Sequence, residues 1–140
     1  MVKTLARGPA RLLAVSRILV VDDDADVAEL VEIVLQAEGH DVETVHGGQV
    51  ALERLTAGTY ELVICDLHMP GVHGQAVYET IRNRPAPRPV VLFMSGYRAT
   101  DEKYEAFLRE TGLTLLPKPF TVETLRQTVR RLLTAPGSSG

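Results

Sequence analysis

Five short apolar runs punctuate the chain: Ile18 to Val21, Val42 to Val45, Leu62 to Cys65, Val90 to Met94 and Leu113 to Leu116. Most are rich in Val, Ile and Leu and lack polar alternation. That pattern predicts strands covered on both faces, as in a parallel sheet. Between them the period lengthens to that of a helix. Val27, Leu30, Val31, Val34 and Leu35 fall on one stripe, and Gly39 follows as a stop. A second segment, Gly48 to Ala57, carries Ala51, Leu52 and Leu55 and is followed by Gly58. A third, near Gly74 to Arg84, carries Val77 and Ile81 and ends at Pro85. A fourth, near Thr100 to Glu110, carries Tyr104, Phe107 and Leu108. The last carries Val122, Leu125, Val129, Leu132 and Leu133, with Thr121 as the expected N-cap.

Strand and helix thus alternate five times. Such alternation predicts an α/β fold with helices on both faces of a parallel sheet. Right-handed crossovers leave few topologies. With five strands the flavodoxin-like (βα)5 arrangement, strand order 2-1-3-4-5, is the expected one. Its switch point lies between strands 1 and 3, and ligands bind there beyond the carboxyl ends of the strands.

Totals refine the picture in three ways. A chain of 140 residues suggests one domain, and no internal repeat or composition shift marks a second. Cys65 is the sole cysteine, so no intrachain disulfide forms, and a reducing, cytoplasmic setting is expected. No apolar run approaches the roughly 18 residues of a membrane span. Charge is uneven. Lys3, Arg7, Arg11 and Arg17 face no acid in the first 17 residues, which leaves 11 basic and 18 acidic residues for the rest. A body this acidic is a poor general nucleic-acid binder. The apolar piece Leu12 to Val15 is too short for a signal-peptide core. Residues 1–16 therefore read as a basic leader or linker, 17–134 as the domain, and 135–140 ("APGSSG" from Ala135) as a flexible tail.

The chemistry lies just past the strands. Asp22, Asp23 and Asp24 follow strand 1, Asp66 follows strand 3, Ser95 follows strand 4 and Lys118 follows strand 5. Strand 2 is followed only by "HGG". All the polar candidates thus fall on one rim, centred on the switch point. Crowded carboxylates raise one another's pKa unless a cation neutralises them. A few oxygen ligands suit Mg²⁺, which keeps several waters and shares its remaining positions with phosphate. An Asp beside it can attack phosphorus. A Lys supplies a point charge to phosphate oxygens, and the Ser95 hydroxyl supplies a hydrogen bond. Asp22, Asp23, Asp66, Ser95 and Lys118 with Mg²⁺ form a set suited to phosphoryl transfer.

The stretches "ILVVDDD", "VICDLHMPGVHG", "MSG" and "PKPF", in this order, resemble a response-regulator receiver domain of two-component signalling from about Arg17 to Leu133. The resemblance implies that Asp66 is the phospho-acceptor and that Asp23 ligates Mg²⁺ directly, with Asp22 helping through water. It implies that the backbone carbonyl of His68 is a further ligand, with Mn²⁺ able to stand in for Mg²⁺. Ser95 and Lys118 would contact the phosphoryl group, and the Lys118–Pro119 bond would be cis. A sensor histidine kinase or phosphotransfer protein would be the donor. The receiver would catalyse only its own phosphorylation and dephosphorylation, then switch a face around helix 4, strand 5 and helix 5. Met69, Pro70 and Gly74 match the family's loop, and "VVLFMSGY…LLPKPFT" is similar to receivers fused to hybrid sensor kinases.

The family's switch aromatic, three residues before the lysine, is Leu115, and an acidic loop position is His73. His68 and Tyr97 occupy the two positions that tune acyl-phosphate lifetime in the family. Asp24 reads as the cap of the first helix and, with Asp26 and Glu29, as part of an acidic helix start, with Asp26-x-x-Glu29 able to form a capping box. Cys65 reads as core, a zinc site on His68 and His73 is disfavoured, and Gly47-Gly48 reads as a turn rather than a phosphate loop. A phosphohydrolase of the haloacid-dehalogenase type would use Asp22-x-Asp24 but would leave Asp66 unexplained. A pseudo-receiver that only binds partners is the other alternative.

Overall fold

The computed structural model describes residues 15–96 and 102–134, with side chains from 105 onward in the second segment. The basic leader up to residue 14, Tyr97 and the tail lie outside the described residues, as does the Tyr104 side chain. The elements run β1 (Arg17–Val21), α1 (Ala25–Ala37), β2 (Asp41–Val45), α2 (Gly48–Ala57), β3 (Leu62–Asp66), α3 (Gly74–Arg82), β4 (Val90–Ser95), α4 (Glu102–Thr111), β5 (Thr114–Pro117) and α5 (Val122–Thr134). The strands form one sheet in the order β2-β1-β3-β4-β5, and every pairing is parallel. Fold class and strand order are those expected from the alternation of periods.

Strand alternation divides the core into two layers. Leu19, Val21, Val63, Cys65 and Phe93 point to one side and pack with residues of α2 and α3, and Phe107 and Leu108 of α4 lie against them. Ile18, Val20, Leu62, Ile64, Leu92 and Met94 point to the other side, toward α1 and α5. The inner strand β3 is buried at all five positions, so the reading of a doubly covered strand holds there. It fails for β2 and β5, whose patterns are eBiiB and iiBe, because each lies at an edge of the sheet.

Helix ends bear out two expected caps and correct other expectations. The N-cap of α1 is Asp24, whose side chain accepts from the N–H groups of Asp26 and Val27. No box is built on Asp26 as cap, because the helix begins two residues before that register. Leu30 is 40% exposed and Ala28 takes its place on the buried stripe with Val31, Val34 and Leu35. Thr121 does cap α5, its hydroxyl accepting from the Thr124 N–H at 3.0 Å. Helix α3 stops at Arg82, three residues short of Pro85. Among the described residues, no helix is long and apolar enough to cross a membrane.

Candidate functional site

Parallel register builds the site. Strands β1 and β3 pair Val21 with Cys65, so the next step along each strand sets Asp22 beside Asp66. Strands β4 and β5 pair Ser95 with Pro117, and Lys118 follows. The Lys118 N–H donates to the Ser95 carbonyl at 2.7 Å, which fixes the lysine at the rim. The Lys118–Pro119 bond is cis, as the resemblance implied, and so is Ala86–Pro87.

The three candidate aspartates differ in their surroundings. Asp22 is fully buried, and its Oδ1 accepts from the Asp24 N–H at 2.9 Å while Oδ2 accepts from Lys118 Nζ at 2.8 Å. Its carbonyl lies 3.3 Å from His46 Nδ1, a neighbour that the "HGG" stretch did not advertise. Asp23 is exposed. Asp24 points away along α1 as the cap described above. Asp24 Oδ1 accepts from both cap N–H groups, and Asp24 is not in the group of three carboxylates that lie close enough to share a cation.

Asp66 is buried, with 5% exposure. Its Oδ1 accepts from the His68 N–H at 3.3 Å, and its Oδ2 lies 3.4 Å from Lys118 Nζ. Burial, and then the charge of Asp22, push its carboxyl up to about 6, against the opposing pull of Lys118 and of the His68 N–H. Burial alone would lower the Lys118 ammonium, but the hydrogen bond to Asp22 and the charges of Asp66 and Asp22 raise it overall. Lys118 thus stays charged between two carboxylates.

Asp22, Asp23 and Asp66 each offer an oxygen within 4.8 Å of the others, and they form the one such group of three among the described residues. Three carboxylates against one ammonium leave a deficit of positive charge in a site two-thirds of whose carboxylates are out of water. All the side-chain donors are oxygen. The residues therefore fit a hard divalent cation such as Mg²⁺. His68 and His73 stack instead at the surface, ring centroids 6.4 Å apart. Neither histidine joins a group of three metal-ligating side chains among the described residues.

Ser95 is fully buried, and its Oγ has no hydrogen-bond partner among the described residues. A buried hydroxyl left unsatisfied costs about 1–3 kcal/mol, so such groups call for an explanation. Cys65 packs in the core, and burial with the nearby carboxylates raises its thiol far out of the reactive range. Leu115 is half-buried and pairs across the sheet with Phe93. Phe93 sits in an edge-to-face cluster with Phe107 and Tyr78 at 5.6 and 6.3 Å, so the aromatic bulk stands one strand away from position 115.

Comparison with known proteins adds a family. Residues 18–130 match the family model described as the response regulator receiver domain. The chain is 35% identical over 116 residues to the response regulator protein FleR of Pseudomonas aeruginosa, covering 83% of this chain and 24% of that protein. It is 34% identical to the transcriptional regulatory protein CpxR homolog of Haemophilus influenzae, covering 84% of this chain and 50% of that protein. The chain thus spans between about a quarter and a half of the length of these curated relatives. Among solved structures, a putative response regulator from Chloroflexus aurantiacus superposes with a TM-score of 0.74 at 30% identity, covering 85% of this chain and 98% of that one. The chemotaxis response regulator CheY4 of Vibrio cholerae gives 0.72 at 28% identity, with coverage of 84% and 98%.

Proposed function

This chain belongs to the response-regulator receiver family of two-component signalling, and on that premise we propose that Asp66 accepts a phosphoryl group in a Mg²⁺-dependent phosphorelay. The donor is the phosphohistidine of a sensor histidine kinase or phosphotransfer protein. An ionised Asp66 oxygen forms the new O–P bond while the N–P bond breaks and the leaving nitrogen keeps its electron pair. Lys118 offsets charge on the transferred oxygens, and the Ser95 hydroxyl donates to one of them. Asp22, Asp23, an Asp66 oxygen and the His68 carbonyl would hold the cation. When bound, the cation withdraws electron density from the phosphoryl oxygens and neutralises the carboxylates. The chain acts only on its own aspartate and is not a turnover enzyme. Its output is a changed protein-interaction face that a downstream protein partner reads.

The observation that carries this reading is the buried Asp66 carboxylate, set beside Asp22 and held by Lys118 at a strand end, with the orphaned Ser95 hydroxyl on the next strand. The test is intact mass after incubation with Mg²⁺ and a small phosphodonor such as acetyl phosphate. One added phosphoryl is expected, stable in acid, released by hydroxylamine and absent from Asp66→Asn. Labelling that persists in Asp66→Asn but is lost in Asp22→Asn would favour the phosphohydrolase. No labelling together with no Mg²⁺ binding would favour a pseudo-receiver.

A further inference from the structure

The first residue of α2, Gly48, has no role in the chemistry above, yet it lies buried against the loop that follows Asp66. A Cβ built at Gly48 would stand 2.6 Å from Val72 Cβ and 2.7 Å from Val72 Cγ1, and closer still to the Val72 carbonyl oxygen. Carbon atoms in ordinary contact sit about 3.5–4.0 Å apart. A methyl group there therefore opens roughly an ångström between α2 and Val72.

The loop cannot absorb this displacement at its ends. The Leu67 N–H is bound to the Met94 carbonyl at 2.9 Å, and the Gly74 N–H to the Leu67 carbonyl at 3.3 Å. Leu67 and Met69 are buried in the core. Gly74 rests directly on the Asp66 carbonyl, where an added Cβ would lie 2.5 Å from that oxygen and 2.9 Å from Leu67 Cα. The loop is thus a short closed arc, fixed at its base and leaning on Gly48 at Val72. His68, whose N–H already holds Asp66 Oδ1, lies within that arc.

From this we infer that Gly48 is a positioning residue for the cation site: it sets the depth at which Val72 docks on α2 and so holds the His68 carbonyl in place. The inference rests on the Mg²⁺ reading given above. Mg²⁺ demands near-ideal octahedral geometry at about 2.0–2.1 Å, whereas Ca²⁺ accepts irregular shells at about 2.3–2.6 Å. A loop ligand moved by a fraction of an ångström is therefore felt more by Mg²⁺ than by Ca²⁺. Supporting groups around metal ligands typically change affinity about 10–100-fold.

The test is calorimetric titration of Mg²⁺ and Ca²⁺ into wild type, Gly48→Ala and Gly47→Ala. Gly47 is the internal control, since a Cβ there meets nothing within 4 Å and its φ of 179° suits any residue. Gly48→Ala is expected to weaken Mg²⁺ about tenfold and Ca²⁺ less, with phosphorylation recovered at saturating Mg²⁺, while Gly47→Ala binds like wild type. Mg²⁺ affinity unchanged in Gly48→Ala, or lowered equally in Gly47→Ala, overturns the inference. If Gly48→Ala does not fold, Val72→Ala carries the test, because it loosens the same contact without a clash. A two- to fivefold loss of Mg²⁺ affinity then supports the role, and wild-type affinity overturns it. A wild-type protein that binds no Mg²⁺ refutes the cation reading itself and this inference with it.

Discussion

Replacing Asp66 by asparagine should make the Mg²⁺-free protein more stable, although it destroys the proposed acceptor. The buried carboxyl is lifted from 3.8 to about 6 by desolvation and by Asp22. A rise of that size corresponds to about 3 kcal/mol for holding the charge in the fold at neutral pH. Asparagine keeps the shape and removes the charge. It also loses the Lys118 contact at 3.4 Å and can turn an NH₂ toward that ammonium. A net gain of about 1–3 kcal/mol is expected at pH 7.5, a rise in Tm of roughly 4–10 °C for a chain of this size. The sign with pH follows from where the proton binds. The folded carboxyl holds its proton more tightly than the unfolded one, so no penalty exists below about pH 4. The penalty builds up between about pH 4 and 6 and levels off above that, and the variant's advantage follows it. Adding Mg²⁺ should close the gap, because a ligand at 100 times its Kd stabilises wild type by about 2.7 kcal/mol and the variant lacks one of its oxygens. Thermal melts of both proteins from pH 4 to 8, in chelator and in Mg²⁺, measure all of this. An Asp66→Asn protein that is less stable than wild type at pH 7.5 in chelator would refute the reasoning. So would an advantage of equal size at pH 4 and pH 7.5.

Two further variants separate stability from chemistry. Ser95→Ala removes a buried hydroxyl without a partner, so denaturant melts should show no loss and up to about 1 kcal/mol of gain. Its phosphorylation rate, followed by mass, should nevertheless fall about tenfold or more, and wild-type kinetics would remove Ser95 from the site. Asp24→Ala should cost about 1 kcal/mol through loss of the α1 cap. Its Mg²⁺ affinity, measured by titration, should stay at the wild-type value, and a marked drop would return Asp24 to the metal group.

Much of the site was legible because strand ends are legible. An apolar run that stops at Asp22, at Asp66 or at Ser95 announces both the end of a buried strand and the residue placed on the rim. "PKPF" marked Lys118 in the same way. Other features left no trace in one dimension. Leu30 satisfies helical spacing but faces out, because the depth of α1 on the sheet decides which edge of the stripe is covered. Asp26 and Glu29 have the spacing of a capping box, yet the chain enters the helix at Asp24. Gly48 looked like half of a turn, since its contact is with a residue 24 positions away.

The sequence by itself determined which segments are strands and helices, and it placed every polar candidate at one end of the sheet. Local periodicity and strand-end chemistry are enough for that. Only the tertiary structure decided the distances between those candidates. The pairing of Val21 with Cys65 sets Asp22 beside Asp66, and the pairing of Ser95 with Pro117 brings Lys118 between them. A slip of one residue would send each of those side chains to the opposite face. Burial, likewise a property of the whole fold, takes Asp22 and Asp66 out of water beside Lys118. It leaves Asp23 in water and Asp24 on the helix, although the three aspartates stand side by side in the chain.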